Sequence, residues 1–426
     1  MSKRIRGVIV LGLVGVFMLC SCSTNLGPET LPSTTPATEP TETIPEVTEP
    51  TEEPTPTEAP EPTSTAVITD RIVDKNGLLK VDGTKIVNSE EETVVLKGMS
   101  SFGLEDCEGF FTSEIVKTLA EDWGCDVLRI VISGDETSDG YLYDPDKYFD
   151  MVCKICDMCI DQGIYVIVDW DVLYTNDYDD NLEQALFFFQ RLSTIYPESV
   201  NVIYEVNNYT LSAADTSETD DEEDDEEINE WEDIIKPFAS EVIEAIRDNA
   251  PDSIIIIGAP GNGLEINIDP DSKLDYDNIV YGCRVFSGTH KQEQRDTILE
   301  AIDNDLCVFI TEWSFCTDDT KGGIFTNESR TWSGFLDENE ISWCNFAIGS
   351  EIDNDTNALN LHSDKYTLEQ KYSGHWPDGL ISNSGLYARD LLLEVNTEDA
   401  VTDTDTDAGT DTDTDTDEPE QTSDDE

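Results

Sequence analysis

Between residues 94 and 349 the chain returns eight times to a short, almost unbroken apolar run, and helical stretches separate most of these runs. They read VVLKGMS, DVLRIVIS, YVIVDWD, NVIYEVNN, SIIIIGA, NIVYGCRVF, LCVFITEW and SWCNFAIG. A strand with one wet face alternates polar and apolar residues. A run that is apolar throughout needs cover on both faces, as in a parallel sheet flanked by helices. Helical spacing is found over residues 114–123, 148–162, 182–195, 231–249, 292–303, 329–337 and 386–395. Serial βα units of this number predict an α/β chain folded as a (β/α)8 TIM barrel. An open doubly wound sheet is the main alternative, and the lack of a Gly-rich phosphate loop after the first run argues against it.

In such a barrel, chemistry sits at the C-terminal ends of the strands. The residues there are Ser101-Phe102, Ser133, Asp169-Trp170-Asp171, Asn207-Asn208-Tyr209, Arg284, Phe286, Glu312-Trp313 and Phe346. Polar groups closing apolar strands are the first candidates for function on physical grounds alone.

The barrel is expected over residues 67–396, between two segments that cannot fold. Residues 23–66 are nearly all Thr, Pro, Glu and Ser, so no apolar burial offsets the entropy of ordering them. They read as a disordered stalk, and residues 397–426 as an acidic disordered tail of the same kind. An acidic insertion, 213–230, holds eight consecutive acids from Asp220 to Glu227 and should stay solvated. The formal net charge of -70 repels nucleic-acid phosphates and anionic membrane surfaces, which excludes generic binding to either.

Residues 1–22 read as a targeting segment. Lys3, Arg4 and Arg6 precede an apolar stretch too short for a membrane span, which ends in Leu19-Cys20-Ser21-Cys22. Leu19 and Ser21 before Cys22 resemble the lipobox of bacterial lipoproteins. Cys22 would then carry the lipid, and the chain would be exported and anchored to the outer face of a bacterial membrane. The membrane contact is through that anchor alone, and the barrel is expected to be a monomer.

Cys125, Cys283, Cys307 and Cys344 lie inside apolar patterns and are expected as buried thiols. Cys153, Cys156 and Cys159 form C-x2-C-x2-C, a spacing shared with iron–sulfur proteins. Gly163 stands where the fourth ligand of that run belongs, and the segment reads as a helix, so a core face is expected there and no metal or cofactor.

From about residue 79 to 395 the chain resembles glycoside hydrolase family 5, the secreted bacterial cellulase type. LKGMSS, DWG, GIYVIVDW, NVIYE, IKPFASEVIEAIR, GTH, TEW and ISW match that family's pattern in order and spacing. The resemblance implies hydrolysis of β-1,4-glucan with retained configuration, by one carboxylate that attacks the anomeric carbon and a second that donates and then withdraws a proton. The motif Thr311-Glu312-Trp313 puts Glu312 in the nucleophile position. The acid/base Glu of the family falls on Tyr209, which follows the matching Asn208. A phenol with a pKa of about 10 is a poor proton donor to a glycosidic oxygen.

Other positions depart as well. Phe102, Asp171 and Arg284 stand where the family has His. Phe286 replaces a Tyr that orients the nucleophile, Phe346 replaces a sugar-stacking Trp, and Asn262 replaces a loop Trp. Arg129 and His290 are kept. By resemblance, Arg129, Asn208, Trp170, Arg284, Phe286, His290, Trp313 and Phe346 form the substrate-binding set. Asp171 is either a substitute acid or the charge partner of Arg284, and Glu205 matches a deeper, structural residue.

Three functions follow for such a chain. It is a cell-surface, cellulase-like barrel with impaired catalysis, a pseudoenzyme that binds β-glucan or another polysaccharide. Alternatively it is an active retaining hydrolase with Glu312 as nucleophile and a replacement acid. The third is a non-catalytic surface interaction protein. Exposed rings for pyranose faces separate the sugar-binding readings from the last; Trp376 is a further candidate ring, and Trp170 and Trp313 are equally plausible as barrel core.

Overall fold

The computed structural model describes residues 71–134, 140–172, 178–208, 229–349, 352–377 and 379–394. The leader with Cys22, the stalk, Tyr209, nearly all of the acidic insertion and the tail lie outside them.

A small antiparallel hairpin, β1 (Lys80–Asp82) and β2 (Lys85–Val87), precedes the barrel. The barrel strands are β3 (Lys97–Gly103), β4 (Val127–Ser133), β5 (Tyr165–Asp171), β6 (Val202–Glu205), β7 (Ile255–Gly258), β8 (Ile279–Phe286), β9 (Val308–Ser314) and β10 (Ser342–Ile348). They close in the order β10-β3-β4-β5-β6-β7-β8-β9, each pair parallel. Pairing of β10 with β3 removes both edges, so the sheet is closed as the sequence led us to expect, not open.

The helices are α1 (Ile72–Asn76), α2 (Ser113–Glu121), α3 (Pro145–Gln162), α4 (Tyr178–Ile195), α5 (Lys236–Arg247), α6 (Pro260–Gly263), α7 (Gln292–Asp303), α8 (Thr326–Glu338), α9 (Leu368–Lys371) and α10 (Asn383–Leu392). Local chemistry sets their ends. Thr112 Oγ1 accepts from Ile115 N at 3.3 Å to start α2. Asp144 caps α3 with Pro145 in the first turn, and Gly163 ends it at φ 70. Ser382 Oγ accepts from Gly385 N at 3.0 Å, which starts α10 three residues before the helical spacing does.

Two other elements differ from expectation for physical reasons. The first apolar run leads its strand by three residues, because Val94 and Leu96 pack into the barrel floor before the ladder begins at Lys97. The stretch 231–249 is split: a π-helical turn (Glu230–Ile235) feeds α5, and Trp231 Nε1 donates to Ser272 O at 3.0 Å.

The core has two layers. Side chains at one parity of each strand point outward to the helices, where Trp170, Phe188, Phe189, Trp313, Trp332 and Trp343 are buried. The opposite parity fills the barrel floor with Val127, Tyr165, Ile167, Ile203, Ile256, Val280 and Phe309. Burying each large side chain contributes about 1.5–3 kcal/mol. Cys156 and Cys159 lie buried in the helix–sheet layer, and the nine described cysteines are free thiols.

Both described ends lie at the N-terminal side of the barrel. Val73 N donates to the carbonyl of Gly163, which precedes β5, at 3.1 Å. Glu394 pairs with Lys97, the first residue of β3, at 3.4 Å, and Leu392 lies beside Gly124, which precedes β4.

The closed sheet leaves no room at Gly98, where a Cβ would sit 1.9 Å from the carbonyl oxygen of Val127. Gly98→Ala should destabilise the fold by about 1–3 kcal/mol or more. Gly334 lies in α8 with nothing within 4 Å of such a Cβ, and Gly334→Ala should stabilise by about 0.5–1 kcal/mol. Thermal denaturation of the two variants checks the pair, and equal shifts would contradict this close packing.

Candidate functional site

Above the apolar floor the inner face turns charged. Arg129 on β4 is fully buried and reaches three carboxylates on three other strands. Its Nε and Nη2 donate to Glu205 of β6 at 2.6 and 3.2 Å, and Nη2 also meets Asp169 of β5 at 2.8 Å. Nη1 donates to Glu312 Oε1 at 3.1 Å and to Ser100 Oγ at 3.0 Å. A guanidinium suits this role because its planar fork holds several partners at once without losing its charge.

Glu312 is placed by an irregularity in β9. The β8–β9 register runs Cys283↔Ile310 and then Arg284↔Glu312, so Thr311 is an extra residue. The side-chain alternation shifts there. Glu312 therefore points inward while Trp313 points outward. Oε1 of Glu312 accepts from Asn208 Nδ2 at 2.5 Å as well as from Arg129. Oε2 accepts from Arg284 Nε at 2.9 Å. Burial works to raise the Glu312 carboxyl, but Arg284, Arg129 and the Asn208 amide outweigh it and hold the pKa below the usual carboxylate value.

Its neighbours move the other way. Burial raises Asp169 and Glu205, with Arg129 opposing. Asp171 lies two residues beyond Asp169 on the same inner face of β5, one step nearer the barrel mouth. Its carboxyl is pushed up to about 8, first by burial and then by the Glu312 carboxylate. Its Oδ1 is sealed from solvent and has no hydrogen-bond partner among the described residues. An unpartnered buried oxygen favours the neutral acid, since the charged form would bear its full desolvation cost.

The structure thus brings Arg129, Asn208, Arg284, Glu312 and Asp171 together. Arg284 ion-pairs with Glu312, and no ion pair joins it to Asp171; the expected charge partnership with Asp171 is at most a longer-range attraction. Phe286 lies on the same inward parity of β8, with the Arg284 guanidinium 5.6 Å from its ring centre, and offers Glu312 no hydroxyl. Phe346 packs against Phe102 with ring centres 4.7 Å apart and planes tilted by 53°. His290 caps the turn after β8: its Nδ1 accepts from Phe286 N at 3.0 Å, and burial lowers its pKa.

Trp170 and Trp313 take the barrel-core alternative and leave the substrate-binding set. Both rings point outward and are fully buried. Trp170 packs on Tyr141 and Phe188, and its Nε1 donates to Asn181 at 3.2 Å. Trp313 packs on Phe315 and Trp343, and its Nε1 donates to Ser287 at 3.0 Å. Neither offers a ring face to a sugar. Sequence reading gave Asp169 no role beyond its strand-end position and missed Ser100; the parity of β3 and β5 carried that signal. Tyr209 lies outside the described residues.

The raised Asp171 carboxyl has a signed consequence. A group whose folded pKa of about 8 exceeds its unfolded value contributes stability present below the unfolded pKa, and that stability is lost as pH rises through about 8. Asp171→Asn should therefore lose less stability than the unsubstituted protein between about pH 4 and 8. Melting temperatures across that range test this, and parallel pH curves would refute it.

Residues 87–351 match the family model described as Cellulase (glycosyl hydrolase family 5). An "Endoglucanase" of Clostridium saccharobutylicum is 34% identical over 321 residues, 75% of this chain and 66% of that one. "Endoglucanase A" of Evansella cellulosilytica is 32% identical over 303 residues, 71% of this chain and 57% of that one. The chain therefore spans less than two thirds of the length of these relatives. Among solved structures, "Cellulase Cel5C_n" is 30% identical with a TM-score of 0.65, covering 77% of this chain and 95% of that one. The catalytic domain of Thermobifida fusca endoglucanase Cel5A is 25% identical at the same TM-score, 0.65, covering 76% of this chain and all of that one.

Proposed function

Because the chain belongs to glycosyl hydrolase family 5, we propose that it recognises a β-1,4-glucan at the open end of its barrel and hydrolyses it poorly or not at all. The observation that carries this is the ion pair between Arg284 Nε and Glu312 Oε2 at 2.9 Å. With Arg129 and Asn208 on Oε1, both oxygens of the carboxylate are engaged. Each carboxylate oxygen keeps a second lone-pair site, but the Arg284 guanidinium draws charge from Oε2 and crowds its approach to an anomeric carbon. Phe286 cannot supply an orienting hydroxyl. The sequence adds Tyr209 in the acid/base position, and losing a general acid costs about 10²–10⁴-fold in rate.

A second reading is favoured by one observation, the raised pKa of Asp171, which keeps it protonated near neutrality. In that reading Glu312 attacks the anomeric carbon and Asp171 gives its proton to the leaving oxygen. Asp171 then takes a proton from water as the covalent intermediate is hydrolysed.

Reducing-sugar release from a soluble β-1,4-glucan separates the two. The impaired reading expects turnover roughly 10²–10⁴-fold below a family 5 endoglucanase assayed alongside. Tyr209→Glu combined with Arg284→His should raise it, though not to that enzyme's level while Phe286 remains. Robust turnover by the unsubstituted protein that disappears in both Glu312→Ala and Asp171→Asn establishes the second reading instead.

The leader ending at Cys22 and the stalk behind it support a barrel exported and held at the cell surface by a lipid. The full-length precursor expressed in a bacterium should partition into detergent and take up labelled fatty acid, and Cys22→Ala should abolish both. Labelling that survives the substitution places the anchor elsewhere or nowhere.

A further inference from the structure

Along the outer flank of the barrel, a cavity of about 630 Å³ opens between α2, the segment 369–377 and α10. Its lining shares no residue with the Glu312 cluster. The Trp376 indole is fixed in this wall. Its Nε1 donates to Lys371 O at 2.9 Å, its plane lies within 7° of that of Phe110, and it meets Trp123 edge-on at 5.6 Å. Gly374 brings the segment so close to α2 that a Cβ there would lie 2.9 Å from Glu114 O. Ser373 Oγ accepts from His375 N at 3.0 Å and ties the turn that presents the ring.

Polar groups converge beside that ring. Arg389 is a half-buried residue, and its guanidinium has no hydrogen-bond or ion-pair partner among the described residues. Asp122 and Glu369 line the same space and are exposed. Tyr372, 37% exposed, extends the aromatic row from Phe110 at 5.9 Å.

This mixture selects a ligand class. An anion would meet two carboxylates, and a bare cation would meet Arg389. A wholly apolar ligand would leave that guanidinium desolvated and unpaired. A pyranose has apolar C–H faces for the indole and hydroxyls that both donate and accept, which suits a guanidinium flanked by carboxylates. The volume lies within the range of small-molecule sites, roughly 300–1,000 Å³. We propose that this cavity is a second saccharide-binding site, separate from the barrel mouth, that takes a segment of β-glucan. The saccharide class rests on the cavity; the choice of β-glucan rests on the functional reading above.

The test is affinity electrophoresis of the full chain in native gels containing soluble β-1,4-glucan, xylan or mannan. Retardation by β-glucan should weaken roughly tenfold in apparent affinity in both Trp376→Ala and Arg389→Ala, and by more than in Glu312→Gln. Should Trp376→Ala fail to fold by circular dichroism, Arg389→Ala decides alone. Undiminished retardation in Arg389→Ala, or loss confined to Glu312→Gln, overturns the proposal. Free migration of the unsubstituted chain in every gel overturns it too, and the reducing-sugar assay then judges the barrel mouth separately.

Discussion

Everything at the barrel mouth depends on one buried cation. A guanidinium removed from water is tolerable only if anions surround it, and Arg129 has three, from β5, β6 and β9. Those anions are in turn tolerable only because of it. The balance is nevertheless uneven. Asp169, Asp171, Glu205 and Glu312 face two guanidiniums, those of Arg129 and Arg284. Protons make up part of the difference, so burial raises three of the carboxyls while Glu312, touched by both cations, stays ionised.

That selection cuts both ways for chemistry. The two cations keep Glu312 charged. The same contacts engage both of its oxygens, and Arg284 in particular holds Oε2. A hydroxyl donor at the position of Phe286 would orient the group without adding a full positive charge. A guanidinium orients it and also neutralises it. The site therefore holds one carboxyl low and one near 8, the low one being the carboxylate that both cations touch.

Much of this was legible in the sequence, for identifiable reasons. Runs such as SIIIIGA and YVIVDWD are apolar because both faces of a barrel strand are covered, so the strands could be located to within a few residues. Strand ends carry the polar groups, and that alone pointed to Asp171, Asn208, Arg284 and Glu312. Choices stayed open where parity decides. Trp170 and Trp313 end apolar strands as a site residue would, but a side chain one position along faces the opposite layer. For Trp313 the deciding feature is the extra residue at Thr311, which simple alternation does not reveal. The flank cavity was legible only as Trp376, because its other walls come from residues more than 200 apart in the chain, which no local pattern connects.

The positions of the two described ends have a steric corollary. Arg71 enters beside the turn before β5, and Glu394 leaves against the base of β3, both on the barrel face remote from Glu312. Whatever precedes the one or follows the other joins the fold from behind. Neither described end therefore enters the fold through the rim above Glu312.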